Sequence, residues 1–167
     1  MLRKVIVFVA LLVLSGCATP LHPGSGMNIS TDIVGPFSGE YSVELINNQA
    51  DKTQHKFFRN FTADLNEWTQ FLIDELSEEL EKRGVEVTPE SPNKFMVRVV
   101  ELKSAESFAA IRMFITVSLS NNDNSWSKEI VANESSGMSA GRALGGVIYR
   151  ANEKMLKDQE IMNRMRL

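Results

Sequence analysis

Polar and apolar residues alternate from Glu40 to Ile46, with Tyr41, Val43 and Leu45 on one side and Glu40, Ser42 and Glu44 on the other. That two-residue period predicts a half-buried strand. The period then lengthens. Leu65, Trp68, Leu72, Leu76 and Leu80 recur at three- and four-residue spacing, with Phe71 and Ile73 widening the stripe, so residues 63–83 read as an amphipathic helix. Asp64 followed by Glu67 fits a capping box at its start. Glu78 with Lys82 and Glu79 with Arg83 are i,i+4 pairs in the favourable order, and Gly84 suits the residue just past the helix end. Val85–Thr88 is a short strand closed by Pro89 and Pro92, and Lys94–Leu102 a longer one. Ala110–Ser120 alternates clearly. Asn121–Asn124 is a hairpin loop, and Ser125–Glu134 is the return strand. A second helix is expected over residues 140–164, with Ala140, Leu144, Val147, Ile148, Ala151 and Met155 as its stripe.

These elements predict an α+β fold: a mostly antiparallel sheet with two amphipathic helices packed on one face, in the order β-α-β-β-β-β-α. Residues 31–167 form the single domain. Residues 17–30, with Pro20, Pro23, Gly24 and Gly26, read as a flexible tether. The polar stretch Asn47–Lys56 reads as a loop.

The N-terminus changes the picture. Arg3 and Lys4 precede ten apolar residues, Val5–Leu14, too few for a spanning helix of about 20 residues but suited to a signal peptide over residues 1–16. Leu14-Ser15-Gly16-Cys17 resembles the bacterial lipobox, in which small residues admit the backbone to a peptidase and the thiol carries diacylglyceryl. Cys17 is the only cysteine in the chain, so it is the expected lipidation site. Three acyl chains exceed the two-signal threshold for stable anchoring. Ala18, where a retention signal in enteric bacteria would have Asp, directs the expectation to the periplasmic face of the outer membrane.

The 167 residues are 43% hydrophobic and 23% charged, an ordinary globular composition. Loss of residues 1–16 removes Arg3 and Lys4 and no acid, taking the formal charge from −3 to −5. That excludes a polybasic grip on anionic lipid and disfavours nucleic acid as a partner. A single cysteine and two histidines leave no pattern for a metal or cofactor, and none is expected.

No catalytic set is legible, and a non-enzyme is expected. His22 falls in the tether. His55 falls in the polar loop without a patterned acid. The acidic run Asp74, Glu75, Glu78, Glu79 and Glu81 reads as a solvated helix face, and Trp68 and Trp126 as core. Gly137–Gly146 follows a strand and opens a helix, where anions bind, but lacks the spacing of a phosphate loop. Gly141 and Gly145 therefore read as close-packing positions, and Gly141 with Arg142 as weak ligand candidates.

With the lipobox, the helix ending Leu80-Glu81-Lys82-Arg83-Gly84, the meander, and the last helix carrying Met155-Leu156-Lys157-Asp158-Gln159-Glu160-Ile161, the chain resembles the YajG family of small bacterial lipoproteins over roughly residues 65–162. That resemblance implies an envelope lipoprotein and carries no activity or site residue beyond Cys17. Similar strand-helix-meander-helix lipoproteins include auxiliary subunits of envelope transporters, the lipopolysaccharide-assembly lipoprotein and penicillin-binding-protein activators. The expected function is a non-catalytic binding or assembly module for a periplasmic or outer-membrane protein. The alternatives are a lipoprotein that binds a small ligand, lipid or glycan, and, third, an enzyme.

Overall fold

The computed structural model describes residues 18–24, 26–137 and 139–167. Residues 1–16, expected to be a signal peptide, and Cys17 lie outside the described residues. The elements are β1 (Thr19–Pro20), β2 (Ser42–Asn47), β3 (Gln54–Phe58), β4 (Phe61–Asp64), α1 (Leu65–Glu81), β5 (Glu86–Val87), β6 (Lys94–Glu106), β7 (Ile111–Asn121), β8 (Ser127–Ser136), α2 (Ala140–Lys157) and α3 (Gln159–Arg164).

Five strands form the main sheet in the order β5-β2-β6-β7-β8. Most of its paired length is antiparallel, across β6–β7 and β7–β8. β2 lies parallel to both of its neighbours, because the chain leaves β2, climbs through α1 and returns to β5 in the same direction, as a helical crossover requires. α1 covers β2, β5 and β6, and α2 covers β7 and β8, so both helices share one face. The core is Val97, Val99, Met113, Ile115, Val117 and Leu119 from the sheet against Leu72, Leu76 and Leu80 of α1 and Leu144, Ile148 and Met155 of α2. The fold is α+β, as the hydrophobic periodicity predicts.

Five details differ from the sequence reading. A second, three-stranded sheet, β1-β4-β3, replaces part of the expected loop and lies ahead of α1. β6 runs four residues beyond Leu102 and carries a bulge between Val99 and Glu101. One extra residue there keeps both Val99 and Leu102 on the core face although they are an odd number of residues apart. The last helix is two. Asp158 breaks it by turning its carboxylate onto the amides of Glu160 and Ile161, which caps α3. Gly141 and Gly145 pack against nothing within 4 Å, whereas Gly146 faces Glu134 so closely that a Cβ would lie 2.6 Å from Glu134 Cγ. Finally, Glu79 is not solvated. It is buried and ion-paired to Arg83 at 2.6 Å.

Half of the expected capping box of α1 is observed, the Glu67 carboxylate meeting His22 and not the Asp64 amide. Asp64 accepts from the amides of Asn66 and Glu67, and Gly84 takes a φ of +87° at the far end, a conformation for which glycine has no steric penalty. The two ends of the domain are zipped together. Ser42 N–H donates to Met165 O at 2.9 Å, Leu167 N–H donates to Glu40 O at 3.0 Å, and Tyr41 bridges Arg166.

Candidate functional site

The segment read as a tether lies on the domain. Thr19 N–H donates to Asn60 O and Leu21 N–H to Thr62 O, both at 2.8 Å, so β1 extends the small sheet. Leu21 O accepts from the indole Nε1–H of Trp68 at 3.1 Å, and His22 Nδ1 sits 2.9 Å from Glu67 Oε1. Further along, Ile29 and Val34 are buried. Their carbonyls accept from Arg83 Nη2 at 2.8 Å and Arg83 Nε at 2.9 Å. Arg83 Nη1 meets Glu79 Oε2 and the Glu79 carbonyl at 2.6 and 2.7 Å. A guanidinium with every nitrogen satisfied can be buried at tolerable cost, and here it clamps the incoming chain to the end of α1. Burial alone would raise the Glu79 carboxyl's pKa. The hydrogen bonds from Lys82 and Arg83 outweigh it and hold that pKa below the ordinary value.

Two turns lie beside the point where the chain enters. The β3–β4 turn holds Arg59 at a φ of +45°. Arg59 lies over the Phe58 ring, 5.2 Å from its centroid, and reaches Glu106 at the end of β6, 2.8 Å from Oε2. The next turn, β6–β7, is closed by Ser107 N–H to Ala110 O at 2.9 Å. Its tip carries Phe108, the most exposed large apolar side chain among the described residues, at 103%.

The sheet face away from the helices carries no helix, and its residues run from buried Ser120 through half-buried Met96 and Phe114 to exposed Val131. Register places Ile46, Met96, Ser120 and Ser127 in one row across it. Thr116 faces Val131, and Phe114 lies between Lys103 and Asn133. Val131 is 53% exposed. At the β8 edge Lys154 Nζ donates to Val131 O at 2.7 Å, which occupies one of the unpaired carbonyls such an edge presents.

The remaining candidates separate. Gly141 lines a cleft of about 300 Å³ with Leu21, His22, Trp68, Phe71 and Gly145. Arg142 does not line it; its amide donates to Ser139 Oγ, the cap of α2. Trp68 is core, whereas Trp126 is half-buried. It lies between Phe95, 5.7 Å away, and Arg164, whose guanidinium carbon is 4.5 Å from the indole ring, and it donates from Nε1 to Glu160 at 2.6 Å. Near it a cleft of about 640 Å³ is lined by Asn93, Asn121, Asn163, Arg164 and Arg166.

His55 does have an acid beside it, Asp51, at 2.8 Å, and Thr53 Oγ1 at 3.1 Å. Both contacts go to Nε2. A catalytic histidine instead bridges nucleophile and acid through its two nitrogens, so this exposed trio staples a turn. Asp51 also accepts the N–H and O–H of Thr53, and these bonds, with that of His55, lower its pKa to about 2. Among the described residues no three His, Cys, Asp or Glu side chains group as metal ligands, and no helix is long and apolar enough to cross a membrane.

The fold therefore defines a small α+β domain with one covered and one open sheet face, strapped at its N-terminus. It is similar to that of a bacterial protein, XCC0632 from Xanthomonas campestris, of family model DUF330, at a TM-score of 0.51 and 13% identity over 83% of this chain and 90% of that one. A second solved structure, an uncharacterized protein, aligns at a TM-score of 0.36 and 8% identity over 83% and 94% of the two chains. No protein-family model matches the chain, and no curated protein does.

Proposed function

We propose that this chain is a bacterial envelope lipoprotein, anchored through Cys17 at the periplasmic face of the outer membrane, whose domain is a non-catalytic docking module for another envelope protein. The observation that carries the reading is the asymmetry of the main sheet. Both helices cover one face and leave the other open. Its rows mix Met96, Phe114 and Val131 with Arg98, Glu129 and Asn133. A composition about as apolar as ordinary surface, studded with a few large side chains, is what non-obligate interfaces use. The lipobox-like Leu14–Cys17 supports the anchor. Membership of the YajG family is part of the same proposal, supported by Leu80–Gly84 and Met155–Ile161 within an α+β fold.

The test is photo-crosslinking in cells, with the probe at Val131 on the open face and, as a control, at the exposed Glu81 at the end of α1, on the helix side of the sheet. Each is carried in the wild type and in Cys17→Ala. The proposal expects an acyl mass on Cys17, membrane fractionation lost with Cys17→Ala, and a discrete adduct from position 131 alone. Adducts equal at both positions, or none, would remove the docking reading. A wild type lacking acyl mass would remove the anchor.

A further inference from the structure

We propose that the domain sits directly on the bilayer, seated through the β3–β4 and β6–β7 turns with Phe108 in the lipid interface. The inference rests on acylation of Cys17. Its starting point is covalent geometry. Ala18 is described and Thr19 is already hydrogen-bonded to Asn60. A chain covers at most about 3.5 Å per residue, and only Ala18 separates Thr19 from Cys17, so a lipid on that thiol would leave the small sheet almost no length of tether. Residues 18–24 supply no slack, because Thr19, Leu21 and His22 are each bonded to the domain.

The anchor therefore decides which end of the molecule faces lipid. Asn60 belongs to the β3–β4 turn, its neighbour Arg59 is bonded to Glu106, and Phe108 follows two residues later. The opposite tip, Asn122, stands at the other end of the 11-residue strand β7, about 35 Å away at strand rise. A lone exposed apolar residue is ordinary on a protein surface. Phe108 differs in lying at the end that covalent geometry brings to the membrane. There a phenyl ring can leave water for the apolar boundary, which favours seating. The acidic charge of the chain gives no polybasic attraction to offset, so the contact depends on apolar insertion and on the acyl chains.

The experiment uses the full lipidated protein in vesicles of phosphatidylethanolamine and phosphatidylglycerol. Phe108→Cys and Asn122→Cys are each labelled with a polarity-sensitive fluorophore, the thiol of Cys17 being blocked by its lipid. The proposal expects a blue-shifted emission at position 108, quenched by nitroxide-bearing lipid, and water-like emission at 122. A flexible Gly-Ser insert between Ala18 and Thr19 should return position 108 towards the water-like value. Acylated protein with equal, water-like emission at both positions overturns the seating while leaving the anchor intact. Protein without an acyl mass overturns both.

Discussion

Trp68 donates its indole N–H to the carbonyl of Leu21 at 3.1 Å, joining the middle of the first helix turn to the chain where it enters the domain. Trp68→Phe keeps most of the buried ring and deletes that bond. A typical net hydrogen bond contributes about 1 kcal/mol. We expect a loss of that size in chemical denaturation, and a larger relative rise in amide exchange at Leu21 than at Leu76.

Glu79 and Arg83 form the second strap. Glu79→Ala leaves a buried guanidinium short of its counter-charge, which should cost roughly 3 kcal/mol, read as a lowered denaturation midpoint. Replacing both residues with methionine should be less damaging than Glu79→Ala, since neither charge is then stranded.

The same pair predicts a pH dependence. The Glu79 pKa is lowered in the folded protein, so its contribution is fully present above the unfolded glutamate value of about 4.3. It is lost as pH falls through the lower folded value. Stability should therefore fall below about pH 4 in the wild type, and Glu79→Gln should lack that part of the slope. An identical slope in both proteins would refute the assignment.

Glycines in α2 should respond with opposite signs. Gly146→Ala forces a Cβ into Glu134, which Arg150 holds at 2.8 Å, and overpacking of this kind costs roughly 1–3 kcal/mol. Gly145→Ala meets open space and should stabilise by up to about 1 kcal/mol, the helix-propensity difference. Thermal melts of the two variants test the contrast.

The helices and the three long strands were legible because each repeats its period for several turns or pairs. What escaped lacked a repeat. In β3, Gln54 and Lys56 are exposed and only Phe57 and Phe58 are buried, and the turn after it uses Arg59 at positive φ instead of the expected glycine or asparagine. β1 is two residues long and contains a proline, so nothing local announces it; its pairing comes from β4. Periodicity also does not tell a solvated ion pair from a buried one. Glu79 and Arg83 have the spacing of a surface pair, and only the carbonyls of Ile29 and Val34, some fifty residues upstream, make the burial tolerable. The break at Asp158 was hidden because Ile161 and Met162 continue an apolar pattern beyond it. Of the functional candidates, the lipidation proposed for Cys17 rests on four consecutive residues, whereas the open sheet face needed the strand order.

The pairing of Ser42 with Met165 and of Leu167 with Glu40 has a consequence for biogenesis. A ribosome delivers residue 40 long before residue 167. β2 itself is flanked by β5 and β6, but the residues at its start, Glu40–Ser42, wait for residues 165–167 to cover one side of them. Closure at that end of β2 comes after the rest of the sheet is synthesised, and a nascent fragment stalled ahead of residue 165 would present Glu40–Ser42 to any extended peptide nearby.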